Sequence, residues 1–119
     1  MLIDTRSIGF GLTEAILRHA EARVESALGF AARHVPHVTV RLDDVNGESR
    51  GGADKRCRIV ARLGGRSHRT LAADAVHADL YAAIDAAAAK VRHAALRETK
   101  RLLALERKDR QRPGTLVPA

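Results

Sequence analysis

Apolar residues recur every three or four positions between residues 13 and 33, which is the period of a helix with one buried face. They are Ile16, Ala20, Val24, Ala27 and Leu28. Thr13 stands where an N-cap residue is favoured, Gly29 lies near the expected end, and Pro36 prevents the helix from continuing. We therefore predict a first helix that begins after Thr13 and packs one stripe against a core.

The period changes to two after Pro36. In the segment HVTVRLDDV apolar residues alternate with polar ones, as they do in a strand with one buried face. The segment KRCRIVARL repeats this alternation, with arginines on its polar face. Residues 2–8 alternate more loosely, and SHRTLAA follows Gly64 and Gly65, which suit a hairpin turn. These segments predict a first strand before the helix and three consecutive antiparallel strands after it.

A second helical period begins at Asp79, a good N-cap residue. At 100° per residue this helix has an apolar stripe and, roughly 120° away, a basic stripe. The apolar stripe comprises Leu80, Ile84, Ala87, Val91, Ala95 and Leu102. The basic stripe comprises Lys90, His93, Arg97, Lys100, Arg101 and Lys108. Because Glu98 falls on the apolar stripe, where an unpartnered carboxylate would be costly, we expect the helix to have run off the sheet by then.

These elements together predict an α+β fold of order β-α-β-β-β-α, in which a four-stranded sheet carries both helices on one face. The other face of the sheet is rich in arginine and is left to solvent or to a ligand. A chain of 119 residues allows one core, so we expect a single domain over residues 1–108. Residues 109–119 end in RPGTLVPA and are expected to be a disordered tail.

Charge narrows the class of partner. The formal net charge is +7 and the pI is about 10.7, which predicts attraction to polyanions, with nucleic acid ahead of an acidic membrane surface. Residues 90 to 112 hold nine Lys or Arg against three acids. Cations along one edge of a helix can neutralise successive phosphates. A solvated face that suits the helix macrodipole is the structural alternative, and both can hold.

The sequence offers little for catalysis or metal binding. Cys57 is the single cysteine and falls on an apolar strand face, so we expect a buried thiol. Asp43 and Asp44 are adjacent on a strand and point to opposite faces, which counts against a carboxylate pair. The histidines lack zinc-ligand spacing. A phosphate-ester hydrolase would need an acid and a base besides anion-binding residues. We predict no enzyme, no metal, no cofactor and no small-molecule substrate.

Targeting signals are equally sparse. The N-terminal segment MLIDTRSIGFGL has no basic stretch followed by a long apolar run, and no stretch approaches 18 uninterrupted apolar residues. We therefore expect a cytoplasmic protein with no membrane partner.

The loop NGESRGGADKRCR before the third strand is a candidate phosphate cradle. Gly51 and Gly52 would let the backbone approach a phosphate closely, and Lys55 and Arg56 would help to hold it. An ordinary flexible loop explains the same residues equally well, so the sequence leaves both interpretations open.

Three features together resemble one protein family. They are the order β-α-β-β-β-α, the segment LTEAILRHAEARV, and DLYAAID at the start of a basic last helix. These features are similar to those of bacterial ribosome hibernation-promoting factors, also called ribosome-associated inhibitors or sigma-54 modulation proteins. The resemblance covers residues 2 to 105, and it is to the short form, without the second domain of long members.

The resemblance implies a protein that binds the small ribosomal subunit between head and body, contacts 16S rRNA in the mRNA and tRNA channel, and inhibits translation during ribosome hibernation under stress. It matches Lys90, His93, Arg97 and Arg101 to the family's basic helix and Arg41 to a basic residue of its second strand. With the other basic sheet and stripe residues, the predicted RNA-binding set is Arg41, Lys55, Arg56, Arg58, Lys90, His93, Arg97, Lys100 and Arg101. Whether the chain pairs ribosomes or only silences single ones is left open, as are its oligomeric state and the inducing stress.

Two alternatives remain from the residues. A generic RNA-binding module could share the α-β-β-β-α core, but double-stranded-RNA-binding domains place lysines at the start of the last helix, where this chain has DLYAAID. A protein–protein modulator without ribosome specificity would use Leu96 and Leu103, seven residues apart and off the apolar stripe, to dock a partner helix.

Overall fold

The computed structural model describes residues 1–9, 11–45, 54–65 and 67–111. The strands are β1 (Leu2–Ile8), β2 (His37–Asp44), β3 (Lys55–Arg62) and β4 (Thr70–His77). The helices are α1 (Glu14–Leu28) and α2 (Leu80–Gln111), and a 3₁₀ segment (Gly29–His34) follows α1. The predicted order β-α-β-β-β-α is confirmed.

The four strands lie side by side in chain order, β1-β2-β3-β4. The β1 and β2 strands are parallel, because α1 crosses back between them, whereas β2, β3 and β4 pair as antiparallel neighbours. The sheet is therefore mixed, with β1 and β4 at its two edges.

Both helices pack on one face of the sheet, as predicted. The inward strand residues with no exposed surface are Val38, Val40, Leu42, Cys57, Ile59 and Ala61. The helix residues buried against them are Ala20, Val24, Ala27 and Leu28 of α1, and Ala83, Ile84, Ala87, Ala88, Val91 and Ala95 of α2. Small alanine side chains let α2 approach the sheet closely, which suits a chain with only 3% aromatic residues.

Side chains cap both helices at the predicted residues. The Thr13 hydroxyl accepts a hydrogen bond of 3.2 Å from the Ile16 N–H at the start of α1. The Asp79 carboxylate accepts one of 3.1 Å from the Tyr81 N–H at the start of α2. Gly29 follows α1 with a helical backbone, so the chain continues as the 3₁₀ segment before Pro36.

The connection between β3 and β4 differs from the predicted tight turn at Gly64 and Gly65. It runs from residue 63 to 69 and is closed by a 2.8 Å hydrogen bond from the Leu63 N–H to the Arg69 carbonyl. The prediction that the strand includes Ser67 is wrong, because that side chain is engaged with α2 and β4 begins only at Thr70.

The expectation that Glu98 escapes burial because α2 has run off the sheet is wrong, since the β3–β4 loop covers the helix at this point. Glu98 is only 6% exposed, and Ser67 of the β3–β4 loop and Arg101 of the next turn supply the partners that its burial requires. The helix then continues to Gln111, past the predicted domain boundary at residue 108. Residues 46–53 and 112–119 lie outside the described residues.

Candidate nucleic-acid interface

Arginines lie side by side across the open face of the sheet. The strand register places Arg6 opposite Arg41, and Arg41 opposite Arg58, with Asp74 of β4 beside Arg58. Arg6, Arg41 and Arg58 are exposed, and we call them the arginine row. Like charges directly opposite each other on neighbouring strands destabilise a sheet. A row that costs stability in the free protein points to an anionic ligand.

Arg41 is the available member of the arginine row. Arg58 Nη1 lies 2.7 Å from the Asp74 carboxylate, and Arg6 Nε lies 3.1 Å from that of Asp4. Arg41 has no ion pair or hydrogen bond with any residue that the structure describes. Arg6 is not among the residues predicted from the sequence, because its place beside Arg41 depends on the parallel pairing of β1 with β2 rather than on any local pattern.

Two other predicted sheet cations are neutralised locally. Arg56 makes a two-pronged contact with Asp43, at 3.0 and 2.5 Å, and this hydrogen bonding raises the pKa of Arg56. Lys55 shares its strand face with Cys57, on the helix side of the sheet, so it lies apart from the arginine row. Its Nζ is 2.8 Å from Asp44, whose hydrogen bond raises the pKa of Lys55.

The structure therefore describes only the two cations of the candidate phosphate cradle. Gly51 and Gly52, which would form its backbone, lie outside the described residues. Lys55 and Arg56, which would supply its cations, point to opposite faces of the sheet and each hold a carboxylate instead.

The basic stripe of α2 begins at the edge of the sheet. Lys90 Nζ donates a 2.8 Å hydrogen bond to the main-chain carbonyl of Asp74 in β4. His93, Arg97 and Lys100 are exposed and have no hydrogen bond or ion pair within the described part of the chain. These side chains are therefore free to meet a ligand.

Asp74 connects the two sets of cations. Its carboxylate holds Arg58 of the arginine row, and its carbonyl holds Lys90 of the stripe. The row and the stripe thus meet at Asp74 on the edge of β4, and we call the two sets together the basic surface. Lys90 also occupies one main-chain carbonyl of the edge strand β4.

Arg101 differs from its neighbours on the stripe. It is bound to Glu98 through Nε at 2.9 Å and Nη2 at 2.8 Å, and this hydrogen bonding raises the pKa of Arg101. The hydrogen bond from Arg101, ahead of the one from Ser67 and the positive charge of Arg69, lowers the pKa of Glu98 to about 2 although burial opposes the shift. Arg101 is thus partly buried and held in place by Glu98 through two of its nitrogens, while Nη1 makes no bond to that carboxylate.

The segment DLYAAID joins α2 to α1. Besides the cap at Asp79, Asp85 lies 2.7 Å from His19 Nε2 and 2.9 Å from Arg23 Nε. The Tyr81 ring meets the His19 ring edge-on, with centroids 4.9 Å apart. The segment therefore sets how the helices pack and contributes nothing to the basic surface.

A groove of about 240 Å³ lies between the 3₁₀ segment, the β3–β4 loop and the distal half of α2. Its floor is largely apolar and includes Leu63 and Leu102. Leu103, one of the predicted docking residues, lines it with 46% of its surface exposed, whereas Leu96 is partly buried outside it. The groove is separate from the arginine row.

The thiol of Cys57 is buried, and that burial raises its pKa to about 12, so it is unreactive in the folded protein. Within the described ranges, no cluster of His, Cys, Asp and Glu is arranged to hold a metal ion. No helix in those ranges is both long and apolar enough to cross a membrane.

Comparison with known proteins adds a family and a fold. The family model described as sigma 54 modulation protein / S30EA ribosomal protein matches residues 3–103. No curated protein matches the chain. A ribosomal subunit interface protein from Coxiella burnetii has a TM-score of 0.69 at 15% identity, covering 84% of this chain and 99% of that one. The N-terminal domain of Thermus thermophilus Protein Y has a TM-score of 0.62 at 23% identity, covering 78% and 93%. At these identities the solved structures establish the fold.

Proposed function

The chain belongs to the sigma 54 modulation protein / S30EA ribosomal protein family, and from this membership we propose that it binds the small ribosomal subunit and inhibits translation during ribosome hibernation. The observation that carries the proposal is the basic surface, in which the arginine row and the α2 stripe meet at Asp74. The name of one structural relative, a ribosomal subunit interface protein, supports a ribosomal partner.

Phosphate groups of 16S rRNA are the ligand that suits this surface. Its free side chains, Arg41, Arg97 and Lys100, are long and cationic. When they neutralise phosphates, the RNA backbone releases counterions, and this release favours binding. Aromatic residues make up only 3% of the chain, so stacking on bases has few residues to use. Recognition would therefore follow the shape and phosphate spacing of folded RNA rather than its base sequence.

Inhibition would follow from occupancy. A domain held on the rRNA of the mRNA and tRNA channel excludes those ligands by volume, without any bond being made or broken. The position in that channel is what the family resemblance implies.

The test is a charge reversal at free positions of the stripe. Arg97→Glu with Lys100→Glu should abolish co-sedimentation with small subunits in a sucrose gradient and relieve inhibition in a translating extract. Arg18→Glu with Arg33→Glu is the matched control, since it makes the same charge change at exposed positions outside the basic surface. Circular dichroism should show both variants folded.

The two results separate clearly. Loss of binding in the stripe variant alone supports the proposal. If the stripe variant is folded and still sediments with small subunits as the wild type does, the basic surface is a solvated face and the proposal is wrong.

The groove beside Leu103 favours a second candidate, a modulator that docks an apolar segment of another protein. Leu103→Asp would remove that activity and leave small-subunit binding intact, whereas the double stripe reversal would do the opposite. The two variants therefore discriminate between the candidates.

A further inference from the structure

A buried carboxylate joins the β3–β4 loop to α2. Glu98 accepts hydrogen bonds from the Ser67 hydroxyl at 2.5 Å and from Arg101 at 2.9 and 2.8 Å. Arg69 Nη1 approaches the same carboxylate at 3.6 Å. One negative charge therefore faces two guanidinium groups, which come from elements far apart in the sequence.

Both guanidinium groups keep donors for a ligand. Arg101 uses Nε and Nη2 on Glu98, and its Nη1 makes no bond to that carboxylate; 36% of the side chain is exposed. Arg69 is 57% exposed, and at 3.6 Å its contact with Glu98 is an ion pair rather than a close hydrogen bond. An arginine has five N–H donors, and the contacts among the described residues use only a minority of them.

The loop backbone fixes the position of Arg69. The Leu63 N–H bonds the Arg69 carbonyl at 2.8 Å, and the Arg69 N–H lies 3.4 Å from the Ser67 hydroxyl. Gly65 and His68 have positive φ values of 61° and 50°, which turn the chain back toward α2. A side chain held at its base and drawn toward Glu98 at its tip has little freedom left to lose on binding.

We infer that Arg69 and Arg101, held together by Glu98, bind one phosphate group of the RNA backbone. Arg101 Nε and Arg69 Nη1 lie 2.9 and 3.6 Å from the same oxygen, Glu98 Oε1, so the two guanidinium groups are close enough to share one phosphate. Arginine suits this contact better than lysine because its donors are planar and forked. Glu98 is a positioning residue, which touches the arginines and not the ligand. The inference rests on the proposed function and extends the basic surface beyond Lys100 to the β3–β4 loop.

The first test is Arg69→Ala in the full chain, with purified small subunits titrated at several salt concentrations. We expect affinity to fall about tenfold and the slope of log affinity against log salt to become shallower by about one, as for the loss of one phosphate contact. Arg18→Ala is the matched control and should change neither. If Arg69→Ala behaves like Arg18→Ala, the inference is wrong.

Glu98→Gln distinguishes a positioning role of Glu98 from a simple effect of net charge, because the two predict opposite changes in affinity for small subunits. The variant is more positive, so charge alone would tighten binding to RNA. If Glu98 positions the arginines, affinity falls instead, whereas Glu25→Gln, an exposed variant of equal charge, shows no fall. Binding as tight as in Glu25→Gln would overturn the positioning role. Should Glu98→Gln unfold, Arg69→Ala decides, since it removes no buried side chain.

These outcomes are distinct from failure of the proposed function. If the wild type does not bind small subunits at all, the proposed function fails and the pair has no such ligand. If the wild type binds but Arg69→Ala binds equally well, the function stands and only the phosphate site is refuted.

Discussion

Arg41 exposes a conflict between stability and binding at a single residue. It lies between Arg6 and Arg58 on neighbouring strands and has no partner among the described residues to offset their repulsion. In the free protein the charge of Arg41 lowers stability, whereas next to a bound phosphate the same charge would contribute favourably to binding.

Arg41→Glu should therefore raise stability while weakening binding. A glutamate between two arginines replaces like-charge pairs by opposite-charge pairs, each worth a few tenths of a kcal/mol, so we expect a gain of about 0.5 kcal/mol in the free energy of unfolding. Urea unfolding measures the gain, and sedimentation with small subunits measures the loss of affinity. A variant that loses stability would show that the row does not repel itself.

Glu98 makes stability depend on pH at the acidic end. Its pKa is lowered from 4.5 to about 2 in the folded protein, chiefly by Arg101. A group whose folded pKa is depressed contributes stability that is complete above its unfolded pKa and is lost as pH falls toward the folded value.

We expect the free energy of unfolding of the wild type to fall between pH 4.5 and about 2 more steeply than that of Glu98→Gln. Other carboxylates titrate in both proteins, so the difference between the two curves isolates Glu98. A curve for Glu98→Gln that runs parallel to that of the wild type would mean that Glu98 is not held as an ion by its arginines. Urea melts at successive pH values provide the measurement.

At the scale of elements, the periodic sequence pattern predicted which faces of the strands and helices are buried, because the regular geometry of each element determines those faces. Alternation identified the buried faces of β2 and β3, and the 100° step identified the core and basic stripes of α2, because burial repeats with the geometry of each element. Contacts between elements have no such period. The pairing of Arg6 with Arg41 depends on α1 crossing back, and Ser67 meets Glu98 across 31 residues of sequence.

The segment DLYAAID illustrates the same limit. It carried the family resemblance, yet its residues cap α2 and hold α1 rather than the ligand surface. The segment identifies the family through its architecture, and the cations that would act lie on later turns of the same helix.

Asp79→Ala should consequently lower stability and spare function. Loss of an N-cap side chain costs about 1 kcal/mol, and the Tyr81 N–H would lose its acceptor. Thermal unfolding should show the loss, while affinity for small subunits measured well below the melting temperature should be unchanged. A folded Asp79→Ala protein that no longer binds would instead place the cap in the interface.

At the scale of the whole molecule, a net charge of +7 governs how binding responds to ions. With contacts to about six phosphates, affinity for small subunits should fall roughly a thousandfold between 50 and 200 mM salt. Equilibrium binding across that range checks it. A flat response would favour the protein-docking candidate, whose apolar groove is insensitive to screening.

Cys57 is the only sulfhydryl in the chain and is the third residue of β3, facing inward between the outward-facing Arg56 and Arg58. A thiol-specific alkylating reagent can reach Cys57 only when the sheet opens, so the rate of modification measures how often the sheet opens. A ligand bound across the opposite face of the same strand would stabilise the closed sheet and so lower the rate of Cys57 modification. Cys57 would thus report covalently whether the opposite face is occupied, with neither a fluorescent label nor a substitution.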